Sequence, residues 1–111
     1  MFKKLLIIVS LFFFMPLVYA ASLTGTWKGN DGGSYYVRQV GSEVWWFGEN
    51  LPSFSNVAYG KISGDKLILT WGDVPKGSIA SSGILVLKVT SSNRLDAVSK
   101  TGGFSGSVWT K

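Results

Sequence analysis

The sequence contains no cysteine and no histidine. Without cysteine there are no disulfide staples, no thiol nucleophile and no thiolate metal site. Without histidine, the commonest general base and the commonest metal ligand are both missing. No window carries a long apolar period of 3.6 residues, so helices are not expected. Basic residues do not cluster either. Outside Lys3 and Lys4, the nine remaining cations stand singly from Lys28 to Lys111, whereas nucleic-acid binding calls for a clustered stripe. No nucleic-acid partner is expected.

What is present begins with a tripartite leader. Lys3 and Lys4 are followed by an apolar run over residues 5–14, broken only by Ser10; Pro16 and Val18-Tyr19-Ala20 come next. This is the pattern of a secretory signal peptide cut after Ala20. The run is short for a membrane span of about 20 residues. Residues 1–20 are therefore read as a signal peptide and 21–111 as one domain, periplasmic or secreted, with no stable membrane insertion after cleavage. Removing 20 of 111 residues leaves 91, with nine basic against six acidic side chains and a net charge of +3. A domain of that size buries only roughly 60–65% of its unfolded surface, so it needs a well-closed fold.

Glycine supplies the strongest local signal, since all 14 lie beyond residue 24. They divide the chain into short segments rich in β-branched and aromatic residues, which predict strands at 22–28, 34–40, 43–47, 56–62, 66–71, 83–90, 94–100 and 105–110. Leu67, Leu69 and Trp71 share one face, as do Leu85, Leu87 and Val89. The expected fold is all-β, a small eight-stranded antiparallel meander barrel, with a two-layer sandwich as the alternative. A membrane barrel needs strands of about nine to eleven residues, longer than these.

The connections are uneven. Gly41-Ser42, Ser63-Gly64-Asp65 and Ser91-Ser92-Asn93 suit tight hairpin turns, whereas 29–33, 48–55 and 72–82 are longer. In a meander alternate connections share an end, so one end is expected to be trimmed and the other furnished with loops, as a binding mouth. At that long-loop end the sequence places Trp27, Trp46 and Trp71 on strands and Phe54 and Phe104 in loops. Asn30, Asp31, Ser34, Glu49 and Asp73 accompany them. Aromatic faces with a few polar groups grip sugars, ring compounds and peptides. The same rings could equally be core, and the loop acids could be turn formers. Adjacent Trp45 and Trp46 must point to opposite faces.

The stretch Gly25-Thr26-Trp27, followed by Gly33-Ser34, resembles the opening strand and turn of the avidin and lipocalin group of small secreted barrels. The resemblance implies a barrel with one open end formed by long loops, with Asn30 and Ser34 as ligand hydrogen-bonders. The tryptophans are spread over strands one, three, five and eight, whereas the ligand tryptophans of avidin-type proteins come from the later strands, so the resemblance does not extend to biotin.

Asn30-Asp31 in a glycine-rich turn lacks the acidic spacing of a calcium loop. The acids Asp31, Glu49 and Asp73 could form a hydrolytic carboxylate pair, and Ser78 with Lys76 a nucleophile pair, yet nothing around them signals an activated site. The expectation is a non-catalytic module without metal or cofactor, taking a small aromatic, apolar or sugar-like ligand or glycan at the long-loop end. The alternative is an inhibitor or surface component that docks a protein partner through the same loops, with 74–77 as a projecting turn. Mass spectrometry of the protein recovered from its native host should find a chain beginning at Ala21; an intact 1–20 segment would refute the export reading.

Overall fold

The computed structural model describes residues 22–75 and 79–111. The expected signal peptide and the Lys76, Gly77 and Ser78 positions lie outside those residues. Eight strands, β1 (Gly25–Gly29), β2 (Ser34–Val40), β3 (Glu43–Asn50), β4 (Phe54–Ser63), β5 (Lys66–Asp73), β6 (Ser82–Ser91), β7 (Arg94–Lys100) and β8 (Val108–Thr110), form a closed antiparallel meander barrel in sequence order. The barrel, rather than the sandwich, is the fold.

Several strand ends differ from the sequence reading. The first strand begins at Gly25 rather than residue 22, because Leu23 and Thr24 meet Gln39 of β2 through side-chain rather than ladder hydrogen bonds. The Leu23 N–H donates to Gln39 Oε1 at 2.8 Å, and Thr24 Oγ1 accepts from the Gln39 N–H at 2.9 Å. The last strand begins at Val108 rather than 105, since Phe104 turns into the core and the Ser107 N–H is taken by Asn30 Oδ1 at 2.9 Å. β3 and β4 continue past the expected ends to the pair Asn50–Phe54, which shrinks the 48–55 loop to residues 51–53. The two-residue turns at Gly41-Ser42, Gly64-Asp65 and Ser92-Asn93 do share one end.

The inward phase of each strand builds the core. Trp27, Tyr35, Val44, Trp46, Leu67, Leu69, Trp71, Leu85, Leu87, Leu95 and Trp109 are buried there, the alternation that a sheet with one covered face requires. Two inward glycines make room for what crosses them. The Tyr35 ring lies over its cross-strand partner Gly48, where a Cβ would stand 2.3 Å from the ring. At Gly60 a Cβ would stand 1.7 Å from the Ile68 carbonyl oxygen, so β4 and β5 approach there as only glycine allows.

Gly60→Ala should therefore destabilise the barrel by about 1–3 kcal/mol or more through overpacking against fixed backbone. Gly72→Ala, whose Cβ meets nothing nearer than 3.9 Å, should change stability by less than about 0.5 kcal/mol. Denaturant midpoints of the two variants, measured in parallel, check the contrast.

Candidate functional site

The register places Trp46 and Trp71 at the same level, both flanking Ala58 on β4. The aromatic end expected from the sequence thus exists, but it is a plug rather than a mouth. Phe104 descends from the 101–107 connection and stands edge-on to Trp71 at 4.8 Å and tilted to Trp46 at 6.1 Å. Tyr35 meets Trp46 edge-on at 4.9 Å and Trp109 at 5.9 Å. Trp27, Tyr35, Trp46, Trp71, Phe104 and Trp109 are all at most 6% exposed. Phe54, now the first residue of β4, packs partly buried against this cluster.

Polar groups at this end are used to tie the connections together. Asp31 accepts from the Tyr35 hydroxyl at 2.6 Å, the Gly33 N–H at 2.9 Å and the Ser105 hydroxyl at 3.1 Å. Asn30 Oδ1 accepts from the N–H groups of Ser107 and Val108. Ser34 accepts from Lys28 Nζ at 2.8 Å, and Asp73 from the Ser81 N–H at 2.9 Å. Trp46 Nε1–H donates to the buried Asn56 side chain, and Trp71 Nε1–H to the Thr101 carbonyl. Glu49, half-buried, sits in register between Ser34 and Ser55. The structure brings the expected site residues to one end, Trp27 excepted, which lies deeper and donates to the Leu23 carbonyl. Their arrangement is that of loop clasps and core rings.

The opposite, tight-turn end is open. There the barrel interior forms a cup of about 600 Å³ with Leu23, Ile62 and Val89 as apolar walls and Gln39 on one side. Its rim is the three turns, with Ser42, Asp65, Thr90, Ser91 and Ser92. Gln39 fixes two parts of the wall at once: its Oε1 holds Leu23, and its Nε2 donates to the Gly41 carbonyl at 2.9 Å. The single rim carboxylate, Asp65, pairs with Lys66 at 2.9 Å, and that contact holds it below the ordinary carboxylate range. An apolar-walled cup with hydroxyls at its lip suits a small, mainly apolar molecule with a polar end.

Leu23, Gln39, Ile62 and Val89 were not among the residues the sequence reading selected. A signal for them was available in the inward phase. It carries the rings of Tyr35, Trp46, Trp71 and Trp109 towards one end, but Gln39, Val44 and the aliphatic Ile62, Leu67, Val89 and Leu95 towards the other. Side chains of that volume do not fill a barrel end.

The plug carries a pH dependence. Burial, reinforced by the hydrogen bond to Asp31, holds the Tyr35 phenol far above the ordinary tyrosine range. An unfolded tyrosine ionises near pH 10. The stabilisation from the neutral buried phenol is thus complete below about pH 10 and declines above it, by up to about 1.4 kcal/mol per pH unit. Between about pH 9 and 11.5, unfolding midpoints should fall more steeply for the parent protein than for Tyr35→Phe; parallel slopes would refute the assignment. Compared with protein-family models, curated proteins and solved structures, the chain finds no match.

Proposed function

We propose that this chain is an exported, non-catalytic binding module that takes a small, mainly apolar ligand in the cup at the tight-turn end. The observation that carries the proposal is the cup itself: an apolar-walled hollow of about 600 Å³ left in a barrel whose other end is filled with the five buried rings of Tyr35, Trp46, Trp71, Phe104 and Trp109. Small barrels that need only stability fill their interior with side chains. An unfilled end lined by Leu23, Ile62 and Val89 gives up packing that larger residues would supply, and a ligand recovers it. The rim hydroxyls suit a carboxyl, hydroxyl or amide head better than a bare hydrocarbon. A non-catalytic role is supported by the residues at hand. The rim offers hydroxyls and one ion-paired carboxylate, and no histidine or cysteine exists to activate them.

The second reading, a macromolecular docking protein that uses the long-loop end, is favoured by one observation. Leu51, Val74 and Ile79 project there with half or more of their surface in solvent, or close to it. The two readings separate by mutation. The fluorescent apolar probe anilinonaphthalene sulfonate, then a panel of fatty acids, aromatic metabolites and short glycans, should be titrated against the mature chain. Ile62→Trp and Val89→Trp, which fill the cup, should weaken binding at least tenfold, about 1.4 kcal/mol, with the melting temperature kept or raised. Asp73→Ala, at the far end, should leave affinity unchanged. Binding lost in Asp73→Ala and kept in both filled-cup variants would move the site to the long loops.

A further inference from the structure

The outside of the barrel is not uniformly polar. On β2 to β6 the outward phase carries the rings of Tyr36, Trp45, Phe47 and Tyr59 with the aliphatic chains of Ile68 and Ile84, each between 38% and 48% exposed. These are cross-strand neighbours rather than scattered residues. Tyr36 pairs with Phe47, and their rings lie nearly parallel, 14° apart at 6.4 Å. Trp45 pairs with Tyr59 at 5.3 Å, and Tyr59 continues through Thr70 to Ile84. The rings are held in place: the Tyr59 hydroxyl donates to Glu43 Oε1 at 2.5 Å. On β1 and β8, by contrast, the outward positions are Thr26, Lys28, Val108 and Thr110. Monomeric proteins rarely expose a contiguous apolar patch beyond a few hundred Å².

We propose that this β2–β6 face is the contact surface between two copies of the chain, packed face to face about a two-fold axis. Four features of the face argue for a second copy over other occupants. First, the closed barrel has no edge strand to extend, so association must use a sheet face. Second, the four rings and their aliphatic neighbours present about 500–600 Å² of apolar side chain per copy, taking aromatics at ~150–250 Å² each. With the intervening Arg38, Thr70 and Lys61 added, this approaches the ~800 Å² per partner of a stable interface. Third, the face has a hollow as well as knobs. Gly72 supplies no side chain to the outward row, leaving a shallow depression bordered by Trp45, Val57, Tyr59 and Thr70, into which a ring of the second copy can seat. A self-complementary patch is what an isologous contact requires. Fourth, the charges are mixed. Arg38 stands opposite Trp45, while Glu43 stands opposite Lys61, so a two-fold can set cations against carboxylates. Ile68 and Ile84 offer no hydrogen bonds to a glycan.

Sedimentation velocity of the purified exported protein, from low micromolar to about 0.5 mM, tests the proposal. A concentration-dependent shift from monomer to dimer is expected. Trp45→Lys should raise the dissociation constant at least tenfold while leaving the melting temperature at low concentration unchanged. Ile84→Lys, at the far side of the face, repeats the test if the first variant does not fold. A monomer throughout the range, or a dimer insensitive to both variants that fold, overturns the proposal. So does association seen only with anionic vesicles or a glycan array. The cup opens at the tight-turn end and not on this face, so a failure here leaves the ligand reading untouched.

Discussion

The barrel closes through its shortest strand. β8 has three residues, and only the pairs Lys28–Thr110 and Gly29–Trp109 join it to β1. An antiparallel sheet that failed to close would leave the N–H and C=O groups of β1 and β8 unpaired as two edges. Everything inside the barrel therefore depends on a seam too short to hold by its ladder alone. The loops supply the remainder. Asn30 accepts from two backbone N–H groups just before and in β8 and donates its own N–H to the Val108 carbonyl at 2.9 Å. The chain end is held as well, with the Lys111 N–H on the Asn93 carbonyl and its ammonium 5.4 Å from the Trp27 ring.

Trp109 links that seam to the interior. It sits in the middle of β8, fully buried, against Tyr35, Trp46 and Phe104. Its indole N–H has no hydrogen-bond partner among the described residues, a cost of about 1–3 kcal/mol accepted for the area the ring covers. Seam and plug thus stand or fall together. Packing the large rings at this end leaves the other end with medium-sized aliphatic side chains. The contrast between a filled long-loop end and an open tight-turn end is a matter of where the volume was placed, not of loop length. Loop length alone would suggest the reverse.

The outside shows a second unevenness. Strands that face water on one side alternate, and β1 and β8 keep small or polar residues outside, Thr26, Lys28, Val108 and Thr110. In the middle of the chain the runs Tyr35-Tyr36-Val37, Val44-Trp45-Trp46-Phe47 and Leu67-Ile68-Leu69 do not alternate. One phase of each run is needed for the core. The other phase is left on the surface, as five adjacent strands of one face.

The eight strands, their order around a closed sheet and the three tight turns were legible in the sequence, because glycine spacing and period-two alternation act locally and need no knowledge of distant contacts. The gathering of Trp46, Trp71, Asp31 and Phe104 at one end was legible too, since a meander fixes strand direction. What Asp31 and Asn30 do there was not. Their partners Tyr35 and Ser107 are chosen by barrel closure, which brings residues 30 and 107 within hydrogen-bond distance across 77 positions of chain. Nor could alternation say whether the inward rings of the long-loop end meet one another or stand apart around a ligand. That depends on barrel radius, on Phe104 folding inward and on Gly48 admitting the Tyr35 ring, all of them distances between strands. The sequence by itself determined the sheet and, where apolar and polar residues alternate, the phase of the side chains. Only the tertiary structure decided which end is full and which is open, because volume is shared among strands and no single strand encodes it.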